Sequence, residues 1–197
     1  MGINDGKNLF TLHKDESARR ATWVLLRANA LLTQGVRFRD MPAHWFENVQ
    51  WNNALQCNLA VFRTLYLADK HDLAAAKVFA EHLLTNAVGM ADIHRNGLLG
   101  DLLFYELLGE CRPAQVAQLY TKQLKNYLKA TSSYPSHQLL HYAHALLFLR
   151  DPAQAEKARY KFHERCTNHS LRGELPLLHE MMQLVDEIAE KRRGVQG

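Results

Sequence analysis

Residues 137–166, HQLLHYAHALLFLRDPAQAEKARYKFHERC, decide the fold. Leu139, Leu140, Ala143, Leu146 and Leu147 recur at helical spacing, so one face of a helix is apolar. Pro152 disfavours the α region for Asp151 and stops that helix. Asp151 is then free to cap a second helix, with Pro152 at its first position, where no N–H is needed. Ala155, Ala158 and Phe162 continue at helical spacing, and the two alanines permit close approach. The stretch is two antiparallel helices joined by the Arg150–Asp151–Pro152 turn.

Looser copies lie on the N-terminal side. First helices are expected near residues 51, 92, 136 and 174, a period of about 40 residues, close to the lengths of helical repeats. A hairpin of this kind buries its apolar face only by stacking on neighbours. The pattern resembles degenerate tetratricopeptide units: Leu107-Leu108-Gly109-Glu110 is similar to the end of a first helix, and Ala155 to the small residue early in a second. The Trp-Leu-Gly-Tyr signature is not assembled in any one copy. Few Gly and Pro (10 and 5) and little strand-like alternation favour an all-α chain of about eight helices, and the resemblance implies antiparallel hairpins in a stacked superhelix.

A helix over about 15–34 carries Trp23, Leu26, Ala30 and Thr33 as its expected core stripe, with Gly35 as its stop. Residues 36–46 form a connector anchored by Trp45 and Phe46. Helices are expected over 51–68, 73–88, 92–109, 113–130 and about 174–192, with loops at 131–136 and 167–173. Residues 1–14 are a polar lead-in and 15–197 a single helical domain.

The chain has 197 residues, 47% hydrophobic and 22% charged, ordinary values for a globular protein with a sizeable core. A net charge of +4 with scattered basic residues is not the footprint of a nucleic-acid binder. Lys191-Arg192-Arg193 is expected to be a solvated helix end. No apolar run is long enough to span a bilayer, and no signal peptide is expected at Met1–Lys14. Cys57, Cys111 and Cys166 are widely spaced without a CxxC, which suits buried thiols in a reducing cytoplasm.

Eleven histidines raise the question of metal. His137, His141 and His144 share a helix face opposite the leucine stripe. Imidazoles at i and i+4 can bind zinc, but a site needs further ligands and outer partners. The plainer reading is a polar face lining the inner surface of a curved stack. His163-Glu164 and His179-Glu180 each miss HExxH for want of the second histidine. There is no GxSxG, Walker loop or GxGxxG. Glu106, Glu110, Asp186 and Glu187 have no evident pairing beyond ordinary helix surfaces.

Asn4-Asp5-Gly6, Arg19-Arg20-Ala21, Leu31 to Arg37, Asp40-Met41-Pro42 and Trp45-Phe46 together resemble part of bacterial M50 (site-2-protease-like) membrane zinc metalloproteases. The region is the one where the last membrane segment gives way to the cytoplasmic C-terminal domain. The resemblance covers residues 3–46 and fades beyond them. It implies that Asp5, followed by Gly6, is the third zinc ligand of an intact parent. The chemistry would be metal-activated water attacking a peptide bond. This chain lacks the HExxH and the membrane helices, so catalytic residues and a cofactor are expected only in a longer protein.

The reading that follows is a non-catalytic interaction or regulatory domain beside the inner face of the plasma membrane. It would bind a protein or peptide through Tyr134, His137, His141 and His144. The alternative is a free-standing tetratricopeptide-like adaptor.

Overall fold

A computed structural model describes residues 12–194. Among these the chain is all-α, with no strand. It groups into two compact units, Met1–Arg95 and Asn96–Gly197.

The first unit contains α1 (Glu16–Thr33), α2 (Ala54–Asp69) and α3 (Leu73–Asn86). Each starts on a side-chain cap: Asp15 accepts from the Ser17 and Ala18 amides, Asn53 from Leu55 and Gln56, and Asp72 from Ala75. Gly35 ends α1 with φ +92°, a conformation that only glycine takes without cost. Helix α2 packs on both α1 and α3.

The expected core stripe of α1 is corrected by the structure. Ala18, Ala21, Val24, Ala28 and Leu32 are buried, while Trp23 is 57% and Leu26 69% exposed. Ala30 and Thr33 are exposed as well. Both stripes are apolar at helical spacing. The one with small side chains turns inward, toward the α2 contact.

The connector folds as two single turns, Phe38–Asp40 and Ala43–Trp45. It is anchored as expected, with Phe38, Met41, Trp45 and Phe46 all buried. Phe46 stacks on Tyr66 at 4.6 Å, and Phe38 meets Phe62 edge-on at 5.3 Å. Arg37 pairs with the buried Asp69, whose other oxygen accepts from the Arg39 amide at 2.9 Å.

Helix α4 (Asp92–Leu108) runs through the division between the units. The second unit continues with α5 (Pro113–Leu119), α6 (Lys122–Ala130) and α7 (Pro135–Ala143). A π-helical stretch (His144–Leu149), α8 (Pro152–Thr167) and α9 (Leu175–Gly194) complete it. The expected helix 113–130 is broken. Tyr120 leaves helical geometry at ψ 55°, and the Thr121 hydroxyl caps a new helix by accepting from the Leu124 amide. This break splits one expected helix into two.

Helix α8 packs on α7 and on the π-helical stretch. Ala155, Ala158 and Phe162 are buried, and Asp151 caps α8 by accepting from the Gln154 amide. Complete burial of the Phe162 ring is worth about 2–3 kcal/mol.

Three turns share one device. His71, Cys111 and Arg150 adopt left-handed backbone (φ +62°, +54° and +54°), and each directly precedes the N-cap of the next helix. They recur about every 40 residues, the period expected from the sequence.

Candidate functional site

Helix α8 carries two adjoining cavities in the second unit. One, of about 380 Å³, is lined by Tyr142, Leu146, Ala155, Asp186 and Arg193. The other, of about 530 Å³, is lined by Tyr160, His163, Glu164 and Thr167. Glu156 and Arg159 line both, so the two adjoin along α8, the first as a furrow between α8 and α9 and the second on the exposed side of α8. The π-helical stretch widens the backbone before Arg150 and supplies Leu146. Such stretches are frequent at functional sites.

Arg159 holds the middle. Its Nη2 donates to the Tyr142 hydroxyl at 2.6 Å and to both Asp186 oxygens at 2.7 Å. The Tyr142 hydroxyl donates to Asp186, and the guanidinium lies 5.0 Å from the Tyr142 ring centre. Burial, and after it the Asp186 carboxylate, pushes the Tyr142 phenol up to about 12. Tyr142 is therefore a hydrogen-bonding group and not an acid near neutrality. Arg159 Nε is buried without a partner, and Nη1 forms no hydrogen bond among the described residues. Tyr160, one residue on, is 71% exposed.

The residues expected to bind a partner are placed unevenly. Tyr134 is 48% exposed. His137 lies beside it at 5.6 Å between ring centres and is held by Thr131, whose carbonyl is 2.9 Å from Nδ1. His141 is half-buried. His144 is only 9% exposed, with the Tyr120 and Phe148 rings at 4.5 and 5.3 Å. Burial pulls His144 down to about 4 and lowers His137 and His141 as well. The three imidazoles are neutral near pH 7 and do not share one open face. No group of three or more His, Cys, Asp or Glu among the described residues could hold a metal ion. Asp5 lies outside the described residues.

Near Tyr134 lies a further cluster. Desolvation, and then the Glu174 charge, lifts the Asp101 carboxyl to about 7, and burial raises Tyr127 to about 12. The Tyr127 ring sits 5.2 Å from that of His137.

Asp186 and Glu106 do have specific partners, which corrects the sequence reading. Buried Glu106 accepts from the Arg112 amide and guanidinium and so ties down the α4–α5 turn. Arg192 is likewise no free helix end: it donates to the Leu107 and Gly109 carbonyls at 3.1 and 2.6 Å, closing the C-terminus of α4. Cys57, Cys111 and Cys166 are free thiols. Burial pushes Cys57 and Cys166 up to about 11 and raises Cys111 too, so none is an activated nucleophile.

The Tyr142–Arg159–Asp186 group escaped the sequence reading because its members stand on three helices with no shared local spacing. Only the fold assembles them. The chain matches no protein-family profile, no curated protein and no solved structure.

Proposed function

We propose that this chain is a non-catalytic protein-interaction domain that takes an extended peptide of a partner along the exposed side of α8 and into its furrow with α9. The observation that carries this reading is the pair of cavities joined at Arg159, whose Nη1 donor is unengaged. That donor suits a main-chain carbonyl or an acidic side chain of the peptide. Tyr160 offers a rigid ring for an apolar neighbour. Tyr134, with His137 beside it and His141 next to His137, is a second contact area on the same unit, and His144 contributes through packing. Hairpin turns recurring about every 40 residues support a tetratricopeptide-like stack.

The wider placement is the cytoplasmic part of an M50-type zinc metalloprotease, with Asp5 as a zinc ligand of the intact parent. It rests on the motif residues between 4 and 46. A free-standing adaptor is favoured by a different observation. Arg37, Phe38, Met41, Trp45 and Phe46 all have packing or ion-pair partners within their own unit, which accounts for that stretch without a protease. Coding DNA upstream of Met1 separates the two, since only the protease reading requires HExxH and several apolar runs there.

The interaction reading is tested by selecting displayed peptides of about ten residues on the purified chain. Arg159→Gln and Tyr160→Ala are each expected to weaken the selected peptides about tenfold. Failure to select any peptide, or equal binding by both variants, refutes the furrow as the site.

A further inference from the structure

The outer face of α1 serves neither the first unit's core nor the furrow of the second. Trp23 stands at its centre, 57% exposed, and meets Trp45 edge-on at 5.4 Å. One helical turn away on either side are Arg19 and Arg20 toward the N-terminus, and Leu26 and Arg27 toward the C-terminus. Ala30 continues the stripe, and all of these residues are exposed. None of the three arginines is ion-paired with a carboxylate among the described residues, although the Arg19 charge reaches Asp15. Arg19 donates to the Leu12 and His13 carbonyls at 3.1 and 3.2 Å, and Arg20 to the His44 carbonyl at 2.6 Å. Glu16 is the acidic residue on this face, at the first turn.

We propose that this face docks on an anionic lipid bilayer surface. A helix that lies in the plane of a bilayer presents Trp and Leu to the acyl boundary and Arg to the headgroups, the composition found around Trp23. Three arginines outnumber Glu16 and the neighbouring Asp15, and the net positive face complements a negative leaflet. Contact is with the surface only, since no helix among the described residues is long and apolar enough to cross a membrane. The inference does not depend on the protease placement or on the α8 furrow.

Sedimentation of the full chain with phosphatidylcholine vesicles, and with vesicles containing phosphatidylserine, tests it. Binding is expected to the anionic vesicles alone and to fall as salt rises. Arg19→Gln/Arg27→Gln lowers partitioning by about fivefold per arginine, and Trp23→Ala/Leu26→Gln abolishes it. Both variants alter exposed positions, and unchanged circular dichroism confirms their folding. Tail-brominated lipid quenches the fluorescence of wild type, and Trp23→Phe loses that quenching while it still sediments. Absence of sedimentation, equal binding to neutral vesicles, or full binding by either double variant overturns the proposal. So does binding to a single-stranded oligonucleotide in place of vesicles.

Discussion

Helices α1 and α8 solve one packing problem with different outer faces. Each turns a ridge of small residues inward: Ala18, Ala21, Val24 and Ala28 in α1, Ala155 and Ala158 in α8. Each leaves an aromatic ring outside, Trp23 and Tyr160. On α8 the exposed ring stands among Glu156, Lys157, Lys161 and Glu164, a mixed-charge surface that suits a polar peptide. On α1 it stands among Leu26 and arginines. Size therefore does not decide which side chains are buried. The ridge that lets two helix axes approach decides it, and the large residues left over mark surfaces with another use.

Enlarging the ridges has the greatest expected effect. Ala28→Leu and Ala155→Leu each force a larger side chain into a closed contact and should cost about 1–3 kcal/mol in urea unfolding. Trp23→Ala and Tyr160→Ala should cost less than either. If Ala28→Leu is tolerated and Leu26→Ala is severe, α1 is rotated about its axis relative to the structure.

The same contrast explains how far the sequence could be read. In α8 the turn chemistry of Asp151 and Pro152 fixes the start, and the only strongly apolar face is the alanine–phenylalanine one, so periodicity sufficed. In α1 two faces have the period, and periodicity cannot choose between them. Choosing requires knowing that α2 is the neighbour and that alanine fits against it. The break at Tyr120–Thr121 was hidden for a related reason: a threonine inside a good apolar period can be a helix residue or a cap. The Tyr142–Arg159–Asp186 group was out of reach because long-range contacts leave no local spacing.

A second difference between the units is what they hide. The second encloses His144, pulled to about 4 by burial from an ordinary 6.5. Above pH 6.5 folded and unfolded chains both hold it neutral, and its contribution to stability is intact. Between 6.5 and about 4 only the unfolded chain takes up the proton, so stability falls with pH, by up to about 1.4 kcal/mol per unit from this group. Asp101, lifted to about 7, acts in the opposite sense over the same window. His144→Phe should therefore unfold with a smaller loss between pH 7.5 and 5.5 than wild type, since Asp101, His137 and His141 are common to both. Identical pH dependence of the two urea midpoints contradicts a neutral buried His144.

The smallest expected effect discriminates most sharply between the two faces of α1. Leu26 lies at helical spacing from Trp23 and Ala30, and a core leucine exchanged for a small or polar residue costs about 2–5 kcal/mol. In the structure Leu26 is 69% exposed and faces away from the buried ridge. Leucine and glutamine have similar helix propensities, so Leu26→Gln removes an apolar surface without weakening the helix. Its urea midpoint should match wild type within about 0.5 kcal/mol of stability. That near-zero change would leave Leu26 without a folding role, and vesicle binding would then report on what the leucine does at the surface. A loss of several kcal/mol would place the residue in a core and remove the lipid-facing surface with it.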